Sequence, residues 1–163
     1  MLNIGERAPD FALPDDAGHT VTLSSLLEAG PVVLYFYPAD FTPVCTSQAC
    51  MFRDWTAELA AAGGVRVVGI SAQSSQSKHR FKEKYSLGFT LLADEKKEAI
   101  RAYGAQFLLG LFTRRVTYLV ERREGVAVIA DRAVADLRVG AHLEFVKRVL
   151  RRAQSAAPPG SLA

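Results

Sequence analysis

The chain has 163 residues, 49% of them apolar and 23% charged, with a formal net charge of +3. That length supports one domain with its own hydrophobic core, and that balance is the composition of an ordinary water-soluble globular protein, which sets aside disordered, collagen-like and disulfide-scaffold classes. The arginines that raise the charge near the C-terminus, Arg138, Arg148, Arg151 and Arg152, read as a solvated helix face rather than a nucleic-acid site.

At the N-terminus, Met1–Pro9 shows no basic start followed by an apolar run, so no leader is read there. No apolar stretch approaches the ~18 residues of a membrane span. The expectation is a cytoplasmic protein with no membrane and no nucleic-acid partner, in a compartment where thiols stay reduced. Pro9 and Pro14 bracket Asp10–Leu13, a short edge-like extended segment, and Asp15–Gly18 is a turn signal before a strand at Thr20–Leu23. Ser24 is read as the cap of a short helix ending near Gly30–Pro31. Val32–Tyr37 is a near-continuous apolar run of strand length, as suits a central strand covered on both faces. A helix follows from Cys45 to Ala62, with Met51, Trp55 and Leu59 at helical spacing and Gly63–Gly64 as its stop. Val65–Ile70 is the next strand, so strand, helix and strand form a parallel crossover unit. Ser74 or Ser75 caps a helix to about Tyr85, Phe89–Leu92 is a short strand, and Glu95–Tyr103 is a helix closed by Gly104. Residues 105–113 are apolar without a period and receive no assignment. Arg115–Val120 and Val126–Ala130 flank Glu124–Gly125 as a hairpin, and Val139–Arg152 is an amphipathic helix. The expected domain is 1–153, with 154–163 a disordered tail. A mixed α/β sheet flanked by helices, with an N-terminal extended or hairpin extension, is the outline of a thioredoxin-like fold.

The only two cysteines, Cys45 and Cys50, follow the central strand and open its helix. A cysteine pair in a reducing compartment is more often catalytic, redox-sensing or metal-binding than a structural staple. Cys45 lies in the first turn, after the Thr42–Val44 bend, where unpaired backbone N–H groups and the helix dipole favour the thiolate, the attacking form of sulfur. The plain alternative is that Cys45 packs as a small hydrophobe. Over the five residues to Cys50 an α-helix turns ~500° and rises ~7.5 Å, leaving the Cα atoms roughly 8–9 Å apart. A disulfide needs them within about 7 Å. If the two bond, the first turns of the helix must unwind. A metal site would need further ligands; His19, His79 and His142 are scattered and read as exposed or helix-face residues, so no metal or other cofactor is expected.

Pro38-Ala-Asp-Phe-Thr42-Pro-Val-Cys45 resembles the Pro-x-x-x-Thr/Ser-x-x-Cys signature of the peroxiredoxins. The continuation Cys45-Thr-Ser-Gln48-Ala-Cys50-Met-Phe-Arg53-Asp54 is similar to the PrxQ, or bacterioferritin comigratory protein, subgroup. The resemblance extends over Gly5–Leu13, Gly69–Ser71, Phe89–Asp94 and Ala102–Gly104. It implies a thioredoxin-dependent thiol peroxidase acting on hydrogen peroxide and organic hydroperoxides. Cys45 matches the peroxidatic cysteine, which becomes a sulfenic acid, and Cys50 the resolving cysteine of the same subunit, which condenses with it to a disulfide. Thioredoxin or a similar dithiol then restores both thiols. Thr42 matches the hydroxyl residue that bonds thiolate and peroxide, and Pro38 the proline shaping the pocket, with Val44 between them and the sulfur. Arg115 matches an arginine from a distant strand that stabilises thiolate and leaving oxygen; alternation along a strand puts its neighbour Arg114 on the other face. Gln48 stands where a polar residue supports that arginine, or else is a solvated helix residue. Two features depart from the family pattern, the hairpin tip Glu121–Gly125 and the apolar stretch between Gly104 and Arg115, which is expected to border the site. The chain is expected to be a monomer or weak homodimer. A disulfide reductase would more often carry C-x-x-C, and a redox sensor would need only the same cysteine pair.

Overall fold

The structure, a computed structural model, describes residues 1–155. A hairpin of β1 (Ala12–Pro14) and β2 (Thr20–Thr22) leads into a single-turn helix α1 (Leu23–Leu27). Its cap is Thr22, whose hydroxyl accepts from the Ser25 N–H, and not Ser24, which instead donates to Asp10. β3 (Val32–Phe36) is buried at every position, as its unbroken apolar run requires. Each such side chain contributes roughly 1.5–3 kcal/mol relative to exposure. α2 (Pro43–Gly63) follows and starts two residues earlier than the apolar spacing indicates, because Pro43 occupies its first turn, where a missing N–H costs nothing. Gly64, at φ 68°, closes it with its N–H on the Ala60 and Leu59 carbonyls, a left-handed conformation that favours glycine.

β4 (Arg66–Ser71), α3 (Ser75–Tyr85) and β5 (Thr90–Ala93) complete two parallel crossovers, with Ser74 as the α3 cap. The helix expected over 95–103 is only α4 (Glu98–Ala102). Lys97 is left-handed, and the Asp94 carboxylate accepts from the N–H groups of Glu98 and Ile100, which delays the helix start. Residues 105–113 form a small hairpin, β6 (Gln106–Phe107) and β7 (Phe112–Thr113). β8 (Val116–Arg123) and β9 (Val126–Val134) form the long antiparallel hairpin, and α5 (Val139–Ser155) ends the described chain. Gln154 and Ser155, expected in the tail, are still helical; the remainder of that tail lies outside the described residues.

The main sheet has the order β5-β4-β3-β8-β9, with β3 parallel to β4 and antiparallel to β8. This is the thioredoxin-like α/β layout. Alternation along the strands divides the core. Val32, Leu34, Phe36, Val68, Ile70 and Tyr118 pack with α1, α4 and the N-terminal hairpin on one face. Val33, Tyr35, Val67, Leu91 and Leu119 pack with α2, α5 and Phe81 of α3 on the other. β3 is thus the point from which the chain departs one way to β4 and to which it later returns at β8. The carboxyl ends of strands at such a switch point form the crevice where α/β folds place their sites.

Candidate active site

The site is built where β3 ends. After Tyr37 the loop Pro38–Thr42 turns the chain into α2, whose cap residue is Thr42. No side chain caps this helix, and the first helical bond runs from the Thr46 N–H to the Thr42 carbonyl. The N–H groups of Val44 and Cys45 are therefore left without helical partners and point out of the helix N-terminus, the end that favours negative charge. Cys45 is buried there at 1% exposure.

Arg115 reaches the same point from β8, the strand beside β3, on the face of the sheet that α2 covers. It immediately precedes β8, and Val116 at the start of β8 pairs with Phe36 at the end of β3, so antiparallel register brings the guanidinium over the α2 N-terminus. Its Nη2 donates to Cys45 Sγ at 3.3 Å, Nη1 to Gln48 Oε1 at 2.7 Å and Nε to the Asp136 carbonyl at 2.9 Å. The Arg115 backbone N–H also donates to Asp136 Oδ1 at 3.0 Å. Three of the five guanidinium N–H groups are committed, leaving two for an incoming ligand. Arg114 turns the other way: it pairs with Asp136 Oδ2 at 3.2 Å and lies over the Phe107 ring. Gln48 is fully buried, and its Nε2 has no partner.

Thr42 stands one turn before the sulfur. Its hydroxyl donates to the Ala39 carbonyl at 3.0 Å, so toward a ligand Oγ1 is an acceptor. Pro38, half-buried, opens this loop, and its carbonyl accepts from Gln73 Nε2 at 3.3 Å. Cys50 is half-buried further along the continuous α2, and both cysteines are free thiols. Cys45, Arg115 and Gln48 are thus in direct contact, with Thr42, Val44 and Pro38 on the loop and first turn beside them; Cys50 is held apart by the helix.

Sequence reasoning missed what holds the arginine. His142, read as an exposed or helix-face residue, is fully buried: Nε2 donates to the Ala135 carbonyl at 3.0 Å, which leaves Nδ1 to accept from the Thr117 hydroxyl at 2.8 Å. Burial lowers its pKa and Arg115 pushes in the same direction, so the ring is neutral. It pins Ala135, beside the Asp136 that positions Arg115. Nothing in a lone histidine or an exposed aspartate signals this pairing. Among the described residues no cluster of His, Cys, Asp and Glu is placed to hold a metal, and no helix is long and apolar enough to cross a membrane.

Residues 4–129 match the AhpC/TSA family. The chain is 44% identical over 126 residues to chloroplastic peroxiredoxin Q of Oryza sativa subsp. japonica, spanning 77% of this chain but 57% of that protein. It is 37% identical over 141 residues to the putative peroxiredoxin bcp of Coxiella burnetii, covering 83% and 92% of the two. The crystal structure of peroxidoxin BcpB from Mycobacterium tuberculosis superposes with a TM-score of 0.84 at 33% identity, over 93% of this chain and 98% of that one. A bacterioferritin comigratory protein of Xanthomonas campestris, solved for its alkyl peroxide reduction, superposes at TM-score 0.81 and 23% identity over 93% and 99%; at that identity the likeness speaks for the fold.

Proposed function

The chain belongs to the AhpC/TSA family, and from that premise we propose that it is a thiol peroxidase of the peroxiredoxin Q type. The carrying observation is the Arg115 guanidinium 3.3 Å from Cys45 Sγ at an uncapped helix N-terminus. A peroxide entering there meets the two uncommitted Arg115 N–H groups and the N–H groups of Val44 and Cys45. Its own O–H donates to Thr42 Oγ1. The thiolate of Cys45, its proton released to solvent, attacks the peroxide's hydroxyl oxygen, the O–O bond breaks, and the departing alkoxide or hydroxide takes a proton back from solvent while guanidinium and backbone donors stabilise its charge. Products are the Cys45 sulfenic acid and an alcohol or water. Gln48, bonded to Nη1, keeps the guanidinium in plane.

In the second step Cys50 attacks the Cys45 sulfenic sulfur, forming the disulfide and releasing water. The uninterrupted helix Pro43–Gly63 holds the two sulfurs apart, so its first turns unwind at this step. An external dithiol of the thioredoxin class reduces the bridge by exchange and becomes a disulfide itself. The exposed Phe107, Leu108, Leu109, Leu111 and Phe112 lie on the segment that leads into Arg114 and Arg115, and we infer that they form an apolar rim to the site. That rim favours organic hydroperoxides beside hydrogen peroxide, and the chain acts as a monomer or weak homodimer in a reducing, cytoplasmic setting.

Peroxide consumption coupled to thioredoxin tests the reading. Cys45→Ser abolishes it, and Cys50→Ser retains one stoichiometric oxidation but no thioredoxin-linked turnover. Full turnover by Cys45→Ser would sink the proposal.

A further inference from the structure

We propose that the buried Lys78–Asp40 ion pair is a latch that holds the Pro38–Thr42 loop in the geometry for attack on peroxide, and that its release permits the first turns of α2 to unwind for disulfide formation. The inference rests on the thiol-peroxidase reading above and concerns how its two steps are balanced.

The loop is strained and held from outside. Phe41 has a φ of 66°, left-handed and unfavourable for a bulky side chain. Such a conformation persists only where its surroundings over-determine it. Asp40 supplies much of that restraint. Both its carboxylate oxygens accept from Lys78 Nζ at 3.1 Å, Oδ1 also accepts from the Tyr37 hydroxyl at 2.5 Å, and Oδ2 from Ser77 Oγ at 2.7 Å. Its N–H donates to Gln73 Oε1 at 3.1 Å, and Lys78 also donates to Ser71 Oγ. Phe41 itself packs edge-on against Phe81 at 5.1 Å, with Tyr85 and Lys84 alongside. Apart from Tyr37 and from Ser71 at the end of β4, all of these partners come from α3 or the turn leading into it. The loop that carries Thr42 is therefore fastened to α3 rather than to the helix it begins.

The pair is an expensive way to hold a structure together. The side chains of Lys78 and Asp40 are 0% and 1% exposed. Desolvation of two charges offsets most of their attraction, so such a pair is weak as a stabiliser and serves better to fix one arrangement. Burial pulls the Lys78 pKa down while the Asp40 charge opposes it. Lys78 makes no bond to Cys45 or Arg115; it is a positioning residue that acts through Asp40, two residues before the Thr42 cap. Moving Asp40 moves Thr42 and the N–H groups behind it, so the latched loop favours attack. Unwinding α2 from its N-terminus requires that same loop to let go.

Removing one partner strands a buried charge, so the test uses the double variant Lys78→Met/Asp40→Asn and, separately, the mild Ser77→Ala. Full-length protein is mixed with hydrogen peroxide in a stopped-flow instrument, with Trp55, half-buried on α2, as the fluorophore. One phase rises in rate with peroxide and reports attack; a second is independent of peroxide and reports disulfide formation. In the double variant the attack phase slows on the order of tenfold while the disulfide phase quickens about fivefold. Ser77→Ala shifts both in the same directions by less. The sulfenic acid is then shorter-lived, so over-oxidation to the sulfinic acid, read by mass, needs more peroxide than in the parent. A merely structural pair would slow both phases together or neither, and either result overturns the proposal. If the double variant does not fold, unchanged phases in Ser77→Ala overturn it alone. Absence of any peroxide-dependent phase in the parent overturns the thiol-peroxidase reading and this proposal with it; two phases in the parent with unchanged variants overturn this proposal only.

Discussion

Replacing Arg115 with lysine keeps the positive charge and removes the fork. In the parent, three side-chain N–H groups are tied to Cys45 Sγ, Gln48 Oε1 and the Asp136 carbonyl, and two are uncommitted. A lysine ammonium has three donors on one atom and cannot span those three acceptors while also meeting a peroxide oxygen. Gln48, already with one buried unpartnered atom, would lose its other bond. Removing one donor aimed at developing charge costs about 10²–10³ in rate. Because charge is retained, the lower end applies, and the second-order constant for peroxide should fall on the order of a hundredfold. The assay is single-turnover oxidation in the Cys50→Ser background, followed through Trp55, with circular dichroism to verify the fold. A constant within about threefold of the parent would refute the assignment of Arg115 as the group that stabilises the reacting oxygens.

Three further outcomes follow from the packing. The Tyr35 hydroxyl is buried without a partner, and burial holds its pKa well above normal; Tyr35→Phe should leave stability unchanged or raise it by about 1 kcal/mol in urea unfolding, and a clear loss would point to an unseen partner. Gly69 lies under that ring, and a Cβ there would come within 2.7 Å of Tyr35 Cζ and 2.8 Å of Leu91 Cδ2. Gly69→Ala should therefore destabilise by about 1–3 kcal/mol, with an unchanged urea midpoint as the contrary result. His142 has a folded-state pKa below its unfolded value of about 6.5. On acidification the unfolded chain takes up the proton first, so this contribution is present above about pH 6.5 and is lost as pH falls through the folded value. His142→Gln should flatten the decline in melting temperature between about pH 7 and pH 5; an identical decline would remove His142 as its source.

Much of this fold is legible from period and punctuation. Val32–Tyr37 is apolar at every position because both faces of β3 are covered, and Gly63–Gly64 marks a helix end because Gly64 is left-handed. Residues 105–113 show no period because their strands are only two residues long and their turn exposes leucines. The start of α2 shifts to Pro43 because a proline is costly inside a helix but free in its first turn. At the site, Cys45, Cys50, Thr42, Pro38, Val44 and Arg115 stand out through motif and strand alternation. Their supports do not. Ala135 acts through its backbone carbonyl, which any residue supplies, and Asp136 acts through its carbonyl and through a carboxylate on an exposed residue that reads as solvated. Lys78 lies in the strongly polar run Ser75–Tyr85, where one lysine reads as solvated until the fold brings Asp40 against it.

The proposed chemistry is one sequence of events at two sulfurs, and intact mass after one equivalent of hydrogen peroxide tests it directly. The parent should lose two hydrogens as Cys45 and Cys50 bond, Cys50→Ser should gain one oxygen at Cys45, and Cys45→Ser should be unchanged. An oxidised product in Cys45→Ser equal to the parent's, or a Cys50→Ser protein that takes up no oxygen, would contradict Cys45 as the attacking thiol.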